Sequence, residues 1–125
     1  MISHVVVGTN DLARAKAFYD PLMEIIGCGL TMEKENRVGY GPQGGGTRFI
    51  VTLPIDGGPA TFANGGTIGL MAPDRAAVDA FHAKAVALGG KDEGGPGPRP
   101  HLPQDFYIAY LRDLDGNKLM VGCRG

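Results

Sequence analysis

Residues 3–27 read SHVVVGTNDLARAKAFYDPLMEIIG, and this stretch decides the fold. It opens with a short, β-branched, apolar run, so residues 2–9 are predicted to form a strand. Asn10 and Asp11 follow directly, and their side-chain oxygens can accept hydrogen bonds from the first free amides of a helix. The opening therefore predicts a strand followed at once by a helix.

The predicted helix begins at Leu12, after which apolar residues recur at spacings of three and four. That spacing places them on one helical face. Gly27 ends the pattern in the usual C-terminal position. Pro21 falls inside it, and because proline removes a backbone donor, we expect a kink or a split there.

Three further strands are predicted in the first half, at about 28–34, 36–41 and 47–53. Residues 54–66 are rich in glycine and proline and are interpreted as a linker. The first half of the chain therefore has the order strand, helix, and three strands.

The same order then begins again. Residues 67–72 predict a strand, Asp74 caps a second helix, and Gly89 and Gly90 end it. Residues 91–105 contain four prolines and are predicted to be mostly loop.

Two closing strands are predicted at 106–112 and 118–123, joined by a turn at Asp115, Gly116 and Asn117. We expect an α+β fold in which two βαβββ modules, about 1–56 and 65–125, form a single domain over 1–125. The modules are expected to form a curved mixed sheet around a cleft, since neither half could bury its sheet face alone.

A shift of 63 residues aligns the two halves and supports this repeat. The identities fall on the cap, the helix face and the helix end: Asp11 with Asp74, Ala13 with Ala76, Ala17 with Ala80, Phe18 with Phe81, and Gly27 with Gly90.

Composition excludes several functional classes. The formal net charge is −1 and no basic run exceeds two residues, so a nucleic-acid partner is not expected. No apolar stretch is long enough to span a membrane, and no signal peptide is expected. Cys28 and Cys123 stand alone, which favours reduced thiols in a cytoplasmic protein, with a single disulfide as the alternative.

Three segments carry a family resemblance: residues 3–27, residues 72–101 (APDRAAVDAFHAKAVALGGKDEGGPGPRPH) and residues 107–121 (YIAYLRDLDGNKLMV). They resemble the first module, the second helix with its loop, and the closing hairpin of the vicinal oxygen chelate superfamily. This superfamily contains glyoxalases, bleomycin-resistance proteins and dioxygenases. The resemblance implies the fold but no single activity. It also implies a cleft that is often shared between two subunits of a homodimer.

The resemblance also implies where a metal would bind. Metal-dependent members use a histidine on the first strand, a carboxylate or amide on the fourth, a histidine or glutamine on the fifth, and a glutamate on the eighth. Here only His4 matches, because Thr67 and Met120 hold the fifth- and eighth-strand positions and the fourth strand carries Arg48 instead. Catalytic metals usually need about three protein ligands, so no cofactor and no divalent metal are expected.

His4 has three interpretations without a complete metal site. It is a core histidine bonded to a hydroxyl or backbone group, a residue that hydrogen-bonds substrate, or a catalytic base. Strand alternation groups it in the cleft with Thr67, Met71 and Met120, which together suit a small organic ligand. The alternative is that Met71 and Met120 fill a closed core.

Two arginines and a tyrosine complete the candidate ligand-binding set. Arg48 and Arg99 could each clamp an anion, because a guanidinium pairs bidentately with a carboxylate or phosphate. The alternative for each is an ordinary surface arginine. Tyr107 and Tyr110 alternate along the seventh strand, so one of them should face the cleft, and Tyr107 is the candidate.

The sequence leaves several functions open. The favoured hypothesis is a metal-free member that binds a small organic ligand and, if it is an enzyme, acts as a lyase or isomerase on it. The alternatives are a metal-dependent glyoxalase-type lyase or dioxygenase, a drug-sequestering resistance protein, and a closed dimer with a structural or regulatory role.

Overall fold

Two helices and eight strands make up the fold in the computed structural model, which describes residues 1–125. The elements are β1 (His4–Gly8), α1 (Leu12–Ile25), β2 (Cys28–Glu33), β3 (Arg37–Pro42), β4 (Arg48–Thr52), β5 (Ile68–Met71), α2 (Arg75–Ala87), β6 (Lys91–Gly97), β7 (Phe106–Arg112) and β8 (Lys118–Arg124). Neither helix has the length and apolar character needed to cross a bilayer.

The strands form two four-stranded sheets, one from each half of the chain. Their orders are β1-β4-β3-β2 and β5-β8-β7-β6. In each sheet the first strand runs parallel to the last, and the other neighbours are antiparallel. The predicted α+β class with two βαβββ modules is confirmed, and the sheets are curved but not closed.

Both helices begin at the predicted caps. The carboxylate of Asp11 accepts a hydrogen bond from the Arg14 amide at 3.0 Å, and that of Asp74 accepts one from the Ala77 amide at 2.8 Å. Each bond satisfies an amide that has no partner within the first helical turn.

The glycines that end the two helices are not the pair that the 63-residue shift aligns. Gly27, with φ of +78°, follows α1, and Gly89, with φ of +102°, follows α2. The prediction paired Gly27 with Gly90, which is wrong by one residue, because α2 has 13 residues and α1 has 14. In both cases the glycine takes the left-handed conformation that ends a helix and that other residues avoid.

Two further predictions need correction. Pro21 lies inside α1, but the helix runs through it without a split. Residues 91–105 were expected to be loop, yet Lys91–Gly97 forms strand β6. This strand is at the sheet edge and its register shifts twice against β7, at Gly94 and Gly97, so its glycines and proline sit where the ladder is already irregular.

The core lies between the helices and the sheets and is continuous across both halves. Eighteen buried apolar residues form one cluster, in which Phe18 of α1 and Phe81 of α2 are 2% and 0% exposed. The two helices also contact each other. Because each sheet buries only its helix-facing side in this cluster, the opposite side of each sheet stays open.

A polar junction at the β7–β8 turn joins the two halves. The buried carboxylate of Asp113 accepts hydrogen bonds from the Tyr19 hydroxyl at 2.6 Å and the Asn117 side-chain amide at 2.8 Å. Its other oxygen accepts from the backbone amides of Asp115 and Asn117. The Asn117 side chain also donates to the carbonyl of Gly8 at 3.0 Å, so this turn holds α1 and β1 of the other module.

Replacing Asp113 by alanine should destabilise the protein by about 3 kcal/mol, because four donors lose their acceptor and the Tyr19 hydroxyl stays buried. Urea unfolding followed by circular dichroism measures this loss. The control is Asp79→Ala, which removes the acceptor of the exposed Tyr107 hydroxyl, and it should cost much less. Equal losses in the two variants would contradict the role assigned to the junction.

Candidate functional site

The open faces of the two sheets, turned away from the helices, carry most of the candidate residues. In β1, Val7 is 8% exposed and packs in the core, whereas His4 and Val6 lie on the other side and are exposed. In β8, Leu119 and Val121 are fully buried, while Met120 points to the opposite side. Side chains alternate along each strand, so these positions define one open face in each module.

His4 lies at the outer edge of the first open face. Its Nδ1 atom is 2.8 Å from the Ser3 hydroxyl, and the residue is exposed. This matches the interpretation of a histidine bonded to a hydroxyl, but not a core position. Its ring remains accessible from solvent.

Arg48 is the neighbour of His4 in the ladder between β1 and β4. Its side chain extends over Gly41 of β3, where a Cβ atom would come within 2.8 Å of the Arg48 Cδ atom. Gly29 of β2 pairs with Gly41, so one row across the sheet consists of His4, Arg48 and two glycines. The glycines leave room for the guanidinium to lie flat on the sheet.

A depression of about 540 Å³ lies beside this row. It is bounded by the start of β2, the end of β3, the loop between β3 and β4, and the Arg48 side chain. Its lining residues include Gly29, Thr31, Gly41, Gln43, Gly44 and Arg48. A largely polar lining with one arginine suits a polar or charged group of a ligand better than an apolar one.

The second open face carries the methionines. Met71 is 86% exposed and Met120 is half-buried, in register with Gly69. Thr67 directly precedes β5 and is exposed. Met71 therefore does not fill a closed core within one chain.

The two tyrosines of β7 lie on opposite faces. Tyr107, the sequence-based candidate, lies on the helix face, where its hydroxyl donates to Asp79 of α2 at 2.6 Å and its ring faces Arg75. Tyr110 pairs with Met120 and therefore lies on the open face. The alternation predicted that one tyrosine faces the cleft, and the structure places Tyr110 there.

Arg99 and Lys118 both approach the Tyr110 ring. The Arg99 guanidinium carbon is 5.7 Å from the ring centroid and the Lys118 Nζ is 5.1 Å from it. Arg99 also donates to the backbone carbonyls of Gly95, Gly97 and Pro98. These bonds fold the segment after β6 over the open face, so Arg99 shapes the loop, whereas Lys118 keeps a free ammonium group.

The metal donors expected for a lyase of this fold are not brought together. No group of three or more histidine, cysteine, aspartate and glutamate side chains could hold a metal ion. Moreover, His4 is on β1 of the first sheet, whereas Met120 is on β8 of the second. His4 and Met120 therefore lie on separate open faces of one chain.

The two cysteines lie far apart in the fold. Both are free thiols, with Cys28 at the start of β2 and Cys123 near the end of β8. Burial raises the pKa of the Cys28 thiol, which disfavours the reactive thiolate.

Each βαβββ module covers one side of its sheet with a helix and leaves the other side open. This pairing of modules defines a class of small proteins with a site on the open faces. A family model described as the Glyoxalase/Bleomycin resistance protein/Dioxygenase superfamily matches residues 1–121. The chain belongs to this superfamily.

Solved structures agree with this assignment. A glyoxalase/bleomycin resistance protein from Albidiferax ferrireducens T118 is 43% identical, with a TM-score of 0.88 over 100% of this chain and 99% of that chain. A glyoxalase-related enzyme from Fulvimarina pelagi is 19% identical, with a TM-score of 0.74 over 99% of this chain and 88% of that one. Lactoylglutathione lyase from Agrobacterium tumefaciens is 24% identical, with a TM-score of 0.65 over 98% and 92%. The last two structures share too little sequence with this chain to indicate more than a common fold. A search of curated proteins found no match to this chain.

Replacing Arg99 by alanine should loosen the segment after β6, because three backbone carbonyls lose their donor. Amide hydrogen exchange of residues 99–102 should accelerate by about tenfold or more in the Arg99→Ala variant. Arg75→Ala, which removes another arginine stacked on a tyrosine, is the control and should leave this segment unchanged. Unchanged exchange in Arg99→Ala would show that the loop is held by other contacts.

Proposed function

We propose that this protein is a metal-independent member of the superfamily that binds a small organic ligand on the open faces of its sheets. The observation that carries the proposal is the donor set at the four positions where metal-dependent members hold their ion. Of these, only His4 is a good ligand, since a threonine hydroxyl and a thioether are poor ligands and β4 carries a cation.

The remaining chemistry of the open faces suits an organic ligand. Val6, Met71, Met120 and Tyr110 supply apolar and aromatic surface, and His4, Arg48 and Lys118 supply polar groups near its margins. A mostly apolar lining with a few polar groups is typical of small-molecule sites. His4 could hydrogen-bond the ligand or act as a base, and in the latter case a lyase- or isomerase-type reaction would follow.

We further propose that a homodimer completes the site. The edge strands β1 and β5 belong to different sheets, and each pairs with only one other strand. Val6 on β1 is 47% exposed and Met71 on β5 is 86% exposed. A second copy could place its β5 edge beside β1, which would cover these apolar side chains and bring two open faces together.

The first test is metal content combined with ligand binding. Protein purified without a polyhistidine tag should carry no stoichiometric nickel, zinc, manganese or iron by mass spectrometry. A thermal-shift screen of small organic compounds should give hits whose shifts are the same with and without a chelator. Those shifts should fall in Tyr110→Ala, which removes the aromatic surface of the second open face.

One metal ion per chain that is lost in His4→Ala but kept in His101→Ala would overturn the metal-independent assignment. His101 is an exposed histidine on the loop after β6, so it controls for adventitious binding by a lone imidazole. Such a result would favour metal-dependent lyase or dioxygenase chemistry instead.

The dimer is tested by light scattering after size exclusion. The wild-type protein should have twice the chain mass, and Met71→Glu should shift it towards the monomer, because a charge at the covered edge is costly to bury. Ile55→Glu is the matched control, since Ile55 is fully exposed and lies in the linker rather than in either edge strand. A monomeric wild-type protein would contradict the proposed dimer.

A further inference from the structure

Positive charge is concentrated on the two open faces. Six cations and one carboxylate occupy their strand positions, although the whole chain has a formal net charge of −1. The cations are Arg37, Arg48, Lys91, Arg112, Lys118 and Arg124, and the carboxylate is Glu93. The other acidic residues lie in helices, caps, turns and loops or on the helix-facing side of strands. The open faces therefore attract anions, whereas the helix side does not.

Half of these cations already have a carboxylate partner. Arg112 is bound by Glu93 at 2.8 Å, Lys91 is near the same carboxylate at 3.8 Å, and Arg124 pairs with Asp105 at 3.1 Å. Arg48 has no carboxylate partner and makes no side-chain hydrogen bond within the chain. Its guanidinium donors are therefore free for a ligand.

The surroundings of Arg48 provide further donors and the space for an oxyanion. The depression beside it is also lined by Gln43 and Gly44, and the Gly44 amide donates to no acceptor in the fold. The guanidinium lies over Gly41, and Gly29, the next residue in the row, leaves open space beyond it. A guanidinium, a free amide and an open floor together form a site to which an oxygen anion could bind by charge-assisted hydrogen bonds.

We propose that Arg48 and the glycine-lined depression bind the carboxylate or phosphate group of the ligand, so that the protein selects small organic anions. This inference rests on the proposed ligand-binding function and specifies its ligand class. Arg48 recognises the anionic group from β4, and the apolar surface of the open faces contacts the rest of the molecule. Arg48 lies between His4 of β1 and Gly41 of β3 in this row, and its side chain extends towards Gly41, so the anionic group binds on the side away from His4.

The test is a nuclear magnetic resonance titration of the full-length protein with inorganic phosphate and, separately, with acetate. Ionic strength is held constant with chloride, so that general screening does not vary. Saturable shifts are expected at the Gly44 amide and the Arg48 Nε–H group in wild-type protein. Whichever of the two anions binds more tightly indicates whether phosphate or carboxylate is the preferred group, and either result supports the site.

Arg48→Met should weaken this binding by about tenfold or more, because it removes a charged bidentate donor. Gly41→Ala should also weaken it, since the new Cβ would force the Arg48 side chain off the sheet while leaving its charge. Arg37→Met is the matched control. Arg37 is another open-face cation without a carboxylate partner, but it does not line the depression, so its loss should leave the titration nearly unchanged.

The proposal fails if wild-type shifts do not saturate, or if folded Arg48→Met and Gly41→Ala proteins bind both anions as wild type does. It also fails if Arg37→Met weakens binding as much as Arg48→Met, because the effect would then be general charge. The ligand-binding function is judged separately by the compound screen. Neutral hits that Arg48→Met leaves unchanged would retain that function and overturn the anion selectivity.

Discussion

The buried carboxylate of Asp113 is the interaction on which the arrangement of the two modules depends. It accepts hydrogen bonds from the Tyr19 hydroxyl of α1, from the Asn117 side-chain amide just before β8, and from two backbone amides of its own turn. A buried anion is tolerated only where such donors compensate for lost hydration. Burial and the neighbouring Asp113 charge raise the pKa of Tyr19 well above its usual value, so the phenol stays protonated as a donor. Through these hydrogen bonds the β7–β8 turn of the second module holds α1 and β1 of the first.

Features with a local physical cause could be predicted from the sequence. The caps at Asp11 and Asp74 and the buried Phe18 and Phe81 follow from spacing and hydrogen-bonding capacity. Strand β6 could not be predicted, because its residues favour a loop and only pairing with β7 makes them a strand. The order of elements and the 63-residue repeat predicted the two βαβββ modules, and the structure confirms them. The continuity of α1 through Pro21 could not be predicted either, because tertiary packing of the helix outweighs the loss of one backbone hydrogen-bond donor.

The sequence predicted which types of residue occupy the candidate site, but not on which face of its strand each side chain lies. His4, Arg48, Met71 and Met120 all lie on open faces, as strand alternation indicates. Tyr107 does not, because sequence alone does not say which of two alternating tyrosines faces the helix. Asp79 of α2, which accepts the Tyr107 hydroxyl, decides it. Gly41 gave no sequence signal at all, since its importance arises only from the arginine that lies across it.

The positive charge of Arg48 acts in opposite directions on the binding of a metal ion and of an anion. Arg48 is the cross-strand neighbour of His4, at a spacing of about 5 Å between adjacent strands. Its guanidinium extends over Gly41, on the side of β4 away from His4, and no carboxylate neutralises it. This unpaired charge opposes the binding of a divalent ion nearby and would stabilise an oxyanion in the depression beside it. Under the proposed function, Arg48 on β4 thus favours an anionic ligand over a cation on an unchanged fold.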